Sequence, residues 1–313
     1  MRRKLPESIT AGLFALACTH AMASGIGSLP DEAREVVARG QSTILLNIDN
    51  DTLLLNNRDG FYTSGVGLSQ RHTLRDDTQS TSFGWRIGQE LYTASDIKLP
   101  PESIGPPDHP YAGWLFGGIF RSTHQMDGSY QEIGLDIGCL GPCAGGEWTQ
   151  TNLHRLLRQP LPQGWRKQVK NEFGVVLHAD LAPVRWKPYA WFDATPNLHG
   201  RFGNIHTDAG VGIVLRAGRL NALPEAPTLH AFVRVDANAV AYDATLQGGY
   251  FSSGNPHTVK PKRFVGDMEI GFAWNRGPYG ISASVVRRSN EIRALPNTAG
   301  MQNFARFLVS YSP

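Results

Sequence analysis

The period of the apolar residues sets the limits on what this chain can become. Apolar residues alternate with small or polar ones through many separate segments, and no later stretch is a long unbroken apolar run. Alternation of period two sends successive side chains to opposite faces of a strand. In 129–140, Ile133, Leu135 and Ile137 share one face, with Glu132, Gly134 and Asp136 opposite. In 81–92 the face is Phe83, Trp85 and Ile87; in 301–311, Ala305, Phe307, Val309 and Tyr311 oppose Phe304, Arg306, Leu308 and Ser310. Twelve segments read this way: 42–51, 61–72, 81–92, 111–123, 129–140, 172–182, 188–198, 205–218, 228–243, 262–275, 279–289 and 301–311.

A soluble sandwich predicts the same alternation, with its apolar face inside. The connections separate the two architectures. One set is short ("TLRDDTQS", "QMDGS", "APVRWKP", "AGRLNALPEAP", "WNRGPYG"), whereas the other (51–60, 93–110, 141–171, 244–261, 290–300) is mostly longer. Short turns at one end and long loops at the other are the pattern of an outer-membrane barrel. The expected fold is therefore all-β: a twelve-stranded antiparallel outer-membrane β-barrel, with a short helix in an extracellular loop.

The N-terminus supports export. Arg2, Arg3 and Lys4 precede the short apolar stretch "AGLFALACTHAMA", and Ala21-Met22-Ala23 fits a small-x-small cleavage site. Residues 1–23 are expected to be a signal peptide and 24–313 a single barrel domain. Losing Arg2, Arg3, Lys4 and Glu7 lowers the formal charge from +3 to about +1, which gives no ground for nucleic-acid binding. Cys139 and Cys143 remain, either as a small disulfide loop or as two thiols at a strand end.

With a periplasmic N-terminus, the polar clusters "NIDND" (47–51), "FYTSG" (61–65), the Lys98 region and "GEWTQTNLHR" (146–155) all fall on the outer rim. Together with "PYAGWLF" (110–116), "GPCAGGEWTQTNLH" (141–154), "GRFGNIHTDAGVG" (200–212), "ATLQGGYF" (244–251) and "SNEI" (289–292), they resemble the outer-membrane lipid A 3'-O-deacylases of the LpxR type. The resemblance runs in order through the whole mature chain. It implies a twelve-stranded barrel in the outer membrane of a Gram-negative cell, with lipid A of lipopolysaccharide as substrate and a monomer as the expected state. It also implies calcium-dependent hydrolysis of an ester-linked acyloxyacyl group.

Position by position, the resemblance places calcium-binding groups at Asn50 and Asp51 and catalytic groups at Thr63, Lys98, Gln150 and His154. One position departs: the acid six residues after the histidine is Pro160 here, so Glu147 or another group would have to replace it if it holds calcium. These residue types suit the chemistry. Histidine titrates near neutrality and serves as a base. Gln150 lies one helical turn before it on the same face. Asparagine and aspartate oxygens suit calcium, and threonine and lysine can donate to an oxyanion or a phosphate. No G-x-S-x-G elbow is present, which favours attack by a histidine-activated water; Ser64 is the alternative nucleophile. Tyr111 and Trp114 are expected in the interfacial aromatic belt, and His72, His109, His124, His178 and His199 have no metal-ligand spacing. Two other readings stand beside the deacylase: a phospholipase-like esterase, and a barrel of this family that has lost catalysis.

Overall fold

The computed structural model describes residues 28–54, 60–221, 223 and 226–313; the signal-peptide reading falls outside them. The first six long strands are β1 (Gln41–Asn50), β2 (Phe61–Arg75), β3 (Gln79–Thr93), β4 (Ala112–Gln125), β5 (Tyr130–Leu140) and β6 (Glu172–Ala182). The remaining six are β7 (Phe192–Gly203), β8 (His206–Arg219), β9 (Thr228–Asp243), β10 (Phe264–Arg276), β11 (Tyr279–Arg288) and β12 (Gln302–Tyr311). Each pairs antiparallel with the next, and β1 pairs with β12, Asn47 opposite Leu308, so the sheet closes on itself without an edge.

The seventh strand lies a few residues later than alternation suggests. The run 188–198 contains a hairpin: the four-residue strand Trp186–Tyr189 turns through Ala190 and Trp191 to pair with the start of β7, Tyr189 opposite Phe192. A two-residue turn does not interrupt an apolar pattern, and Pro188 suits this spur because a sheet edge needs no N–H there.

The two faces of the wall decide the solvent on each side. Leu46, Val66, Ile87, Ile119, Val211 and Ile270 point outward and are exposed, Ile119 by 67%. Inward, Arg306 bridges Asp49 (2.9 Å) and Glu269 (3.2 Å), and Arg288 grips Asp267. Apolar outside and charged inside is the reverse of a water-soluble sandwich and suits a wall surrounded by lipid. Ile270→Arg, on the outward face of β10 at mid-strand, is expected to cost about 2–4 kcal/mol, read as a lowered urea midpoint for the barrel in lipid.

A helix that alternation did not reveal, α1 (Leu29–Arg39), precedes β1. Pro30 in its first turn and Gly40 after its end are the local signals. It buries Val36 and packs against β2 and β3, and its Glu32 pairs at 2.7 Å with Arg121, which shares the outward side of β4 with Ile119.

The long outer loops fold back over the rim. Phe61, Leu246, Val259 and Ile292 form one apolar cluster; Leu91, Ala94, Ile104, Tyr111 and Trp165 form another. This corrects the expected aromatic belt: Tyr111 and Trp114 are buried, Tyr111 edge-on to Trp165 and Trp114 stacked on Phe116. Tyr111 is consumed in closing the loops over the rim, and Trp114 points into the lumen rather than to the membrane interface. Cys139 and Cys143 form a disulfide, Cα–Cα 6.0 Å, which ties the end of β5 to the loop entering the next helix.

Candidate functional site

The loop after β5 holds α2 (Gly146–Leu157), which lies on the outside of the wall, over the outer ends of β1, β2 and β3. Gln89, on the outward face of β3, donates to the Ala144 carbonyl (2.6 Å) and pins the helix start. Gly146 permits the close approach: a Cβ there would sit 2.6 Å from Cη2 of Trp165. Along α2 the buried residues are Gly146, Gln150 and His154, four apart and on one face, while Trp148 and Leu156 are exposed.

A cavity of about 60 Å³ lies between α2 and the wall. Asn50, Thr63, Ser64, Gln150 and His154 line it, with Val66, Leu91, Leu153 and Leu157 supplying apolar surface. Four of the six residues named from the sequence thus meet in one place, delivered by β1, β2 and α2.

Local backbone explains how β2 contributes. Tyr62 pairs with Tyr92 and Ser64 with Leu91, so Thr63 is the extra residue of a β-bulge. The bulge lets Tyr62 turn inward to Asp49 (3.2 Å) while Ser64 and Val66, of the same parity, line the outward cavity. Phe61 just before it has φ +64°, a conformation costly for a bulky side chain and held here by the packed loop cluster. Thr63 is buried, its hydroxyl 2.7 Å from that of Thr93.

His154 is 4% exposed, and its Nδ1 is 2.6 Å from the carbonyl of Pro160. A carbonyl only accepts, so Nδ1 carries the proton and Nε2 is the basic nitrogen of the neutral ring. The helix end makes this contact: Arg158 takes a left-handed conformation (φ 55°), the N–H of Gln159 caps the His154 carbonyl, and the chain doubles back to Pro160. Position 160 therefore supplies a backbone oxygen that orients the imidazole.

Gln150 is held with equal definition. The Trp165 indole N–H donates to Gln150 Oε1 at 2.8 Å, and indole only donates, which fixes the amide orientation. Gln150 Nε2 is then buried without a hydrogen bond among the described residues. A buried, unsatisfied amide donor is costly to maintain unless a ligand or reacting oxygen uses it.

Asp51 is buried next to the cavity; its N–H donates to the Thr63 carbonyl (3.4 Å) and its Oδ2 accepts from Gly60 N–H (3.0 Å). Asn50 Oδ1 accepts from the Thr52 N–H at 2.8 Å. Lys98 does not join the group. It is exposed, because the loop instead buries its neighbour Ile97 together with Ile104. Glu147 is exposed and does not line the cavity either. His109 is structural: its Nδ1 donates to the Pro110 carbonyl (2.6 Å), its ring stacks on Tyr92, and burial pushes its pKa down. The positioning residue missed from the sequence is Trp165, whose role depends on a fold-back of the chain that spacing does not show.

A family model described as "Outer membrane protein LpxR" matches residues 11–312. The chain belongs to the LpxR family. Among solved structures, LpxR from Salmonella typhimurium is 21% identical, with TM-score 0.71, covering 87% of this chain and 100% of that chain. At that identity the likeness speaks to the fold, a closed twelve-stranded barrel. The beta domain of the Bordetella autotransporter BrkA (11% identical, TM-score 0.47, 87% of this chain and 98% of that one) is a more distant likeness. No curated protein sequence matches the chain.

Proposed function

We propose that this LpxR-family protein is an outer-membrane esterase that hydrolyses the ester-linked 3'-acyloxyacyl group of lipid A. In this reading His154 takes a proton from a water molecule as its oxygen attacks the ester carbonyl. Gln150 Nε2–H donates to the oxyanion that forms. Collapse of the tetrahedral species breaks the ester C–O bond, and His154 returns the proton to the leaving alkoxide, giving a carboxylic acid and an alcohol. Pro160 O keeps the imidazole in the required tautomer throughout, and Thr63 backs the wall of the site. Leu153, Leu157 and Val66 give the acyl chain an apolar approach from the lipid side.

The oxygens of Asn50, Asp51 and Thr63 are the hard donors that calcium prefers, so this donor set fits the ion. Asn50 and Asp51 would hold the ion, whose positive charge would polarise the ester carbonyl. Lys98, exposed on the outer loops, is suited to a substrate phosphate rather than to the reacting ester. Export by a cleaved segment 1–23 and action as a monomer belong to the same reading.

The observation that carries it is the buried Gln150 donor, without a partner in the cavity that His154 lines. The contact from His154 Nδ1 to the Pro160 carbonyl also favours an active base over a barrel that has lost catalysis. Purified protein incubated with lipid A and calcium is expected to release one acyloxyacyl group by mass spectrometry, and chelation to stop it. Intact lipid A after prolonged incubation would overturn the proposal; preferential cleavage of phospholipid in a parallel assay would replace it with the phospholipase-like reading.

A further inference from the structure

Inside the barrel, away from α2, a second constellation is formed by residues to which sequence spacing assigns no role. Glu132 on β5 and Asp180 on β6 are direct cross-strand partners, and His178 lies two residues before Asp180 on the same inward face. One ligand atom from each of the three lies within 4.8 Å of the other two.

What distinguishes this group from the other lumenal charges is the state of its donors. The other inward carboxylates are largely committed: Asp136 to Arg86, Asp208 to Arg201, Asp236 to Arg234 and Asp267 to Arg288. Asp180 has no hydrogen bond or ion pair among the described residues. Glu132 uses Oε2 to accept from Tyr130 O–H (2.8 Å), which leaves Oε1 facing His178 Nδ1 at 4.0 Å. His178 is 5% exposed, and among the described residues neither ring nitrogen makes a hydrogen bond; Nε2 is 3.9 Å from Asp136, whose oxygens Arg86 already holds. A buried imidazole without a hydrogen bond among the described residues, beside uncommitted oxygens of Glu132 and Asp180, is costly to keep in a protein interior. The lumen also has an excess of negative charge: nine carboxylates and five arginines line its cavity of about 400 Å³.

We propose that Glu132, His178 and Asp180 bind a divalent transition-metal ion, with Zn²⁺ the best match. Zinc accepts both imidazole nitrogen and carboxylate oxygen, and the single imidazole among the donors favours it over magnesium or calcium, with lumenal water completing the shell. Calcium would prefer an all-oxygen set. The bound ion links β5 to β6 and offsets the lumenal charge; it takes no part in the chemistry at α2.

The test uses the full chain refolded into detergent, stripped with chelator, and titrated with Co²⁺ and Zn²⁺. One equivalent of Co²⁺ should bind with a visible d–d absorption, and Zn²⁺ should displace it. His178→Ala should abolish the spectrum, and Asp180→Asn, which removes no described hydrogen bond, should weaken binding by at least about tenfold. Asp51→Asn should leave the spectrum and stoichiometry unchanged, which separates this site from the proposed calcium site. Absence of Co²⁺ uptake by the folded barrel, or undiminished uptake in Asp180→Asn, would overturn the proposal.

Discussion

Replacing His154 by alanine is expected to lower lipid A deacylation by about 10²–10⁴-fold, the contribution usual for a positioned general base. The barrel should survive. His154 sits on a loop helix outside the wall, and closure of the sheet depends on the β1–β12 pairing rather than on α2. The cap of the helix end is a backbone contact, Gln159 N–H to the His154 carbonyl at 2.8 Å, and does not need the imidazole. What alanine removes is the ring bound to Pro160 O and the nitrogen facing the cavity. Acyl release followed by mass spectrometry, with heat-modifiable gel mobility as the folding control, separates the two effects. A folded His154→Ala barrel with activity within tenfold of the parent would sink the role of this histidine.

The second large effect concerns the oxyanion donor. Gln150→Ala is expected to cost about 10²–10³-fold in kcat, the usual loss for one such donor. Trp165→Phe keeps an aromatic ring against Tyr111 but deletes the N–H that fixes the Gln150 amide. The amide can then flip its oxygen toward the reacting centre, and kcat should fall by about tenfold with little change in KM. The decisive measurement is the double variant. If Trp165 acts through Gln150, Trp165→Phe adds nothing in the Gln150→Ala background. An undiminished Trp165 effect there would mean that the tryptophan merely packs the loop.

Much of this architecture was legible in the order of residues. The inward Glu132, Gly134, Asp136 face and the outward Ile133, Leu135, Ile137 face follow from period two alone, and the rim positions of Asn50, Asp51, Thr63 and His154 follow from counting strands. Less could be read where a local pattern serves two purposes. Tyr111 and Trp114 have the composition of interfacial anchors, but Tyr111 packs in a loop cluster and Trp114 turns into the lumen. The resemblance places Lys98 within a loop, where burial of Ile97 and Ile104 decides which neighbour reaches water. The hairpin at 190–191 was invisible because a tight turn leaves alternation unbroken.

Strand periodicity is a local property: each residue needs only its neighbours to choose a face, and with the alternating loop lengths this is enough to point to a closed wall with lipid outside and charge within. The site is not local. Pro160 O reaches His154 because Arg158 turns left-handed, Trp165 reaches Gln150 from 15 residues away, and Glu132 meets His178 across two strands. Each contact depends on a three-dimensional return of the chain, and hydrogen-bond and coordination geometry tolerates errors of only a few tenths of an ångström. Such distances are settled by tertiary packing and not by residue spacing.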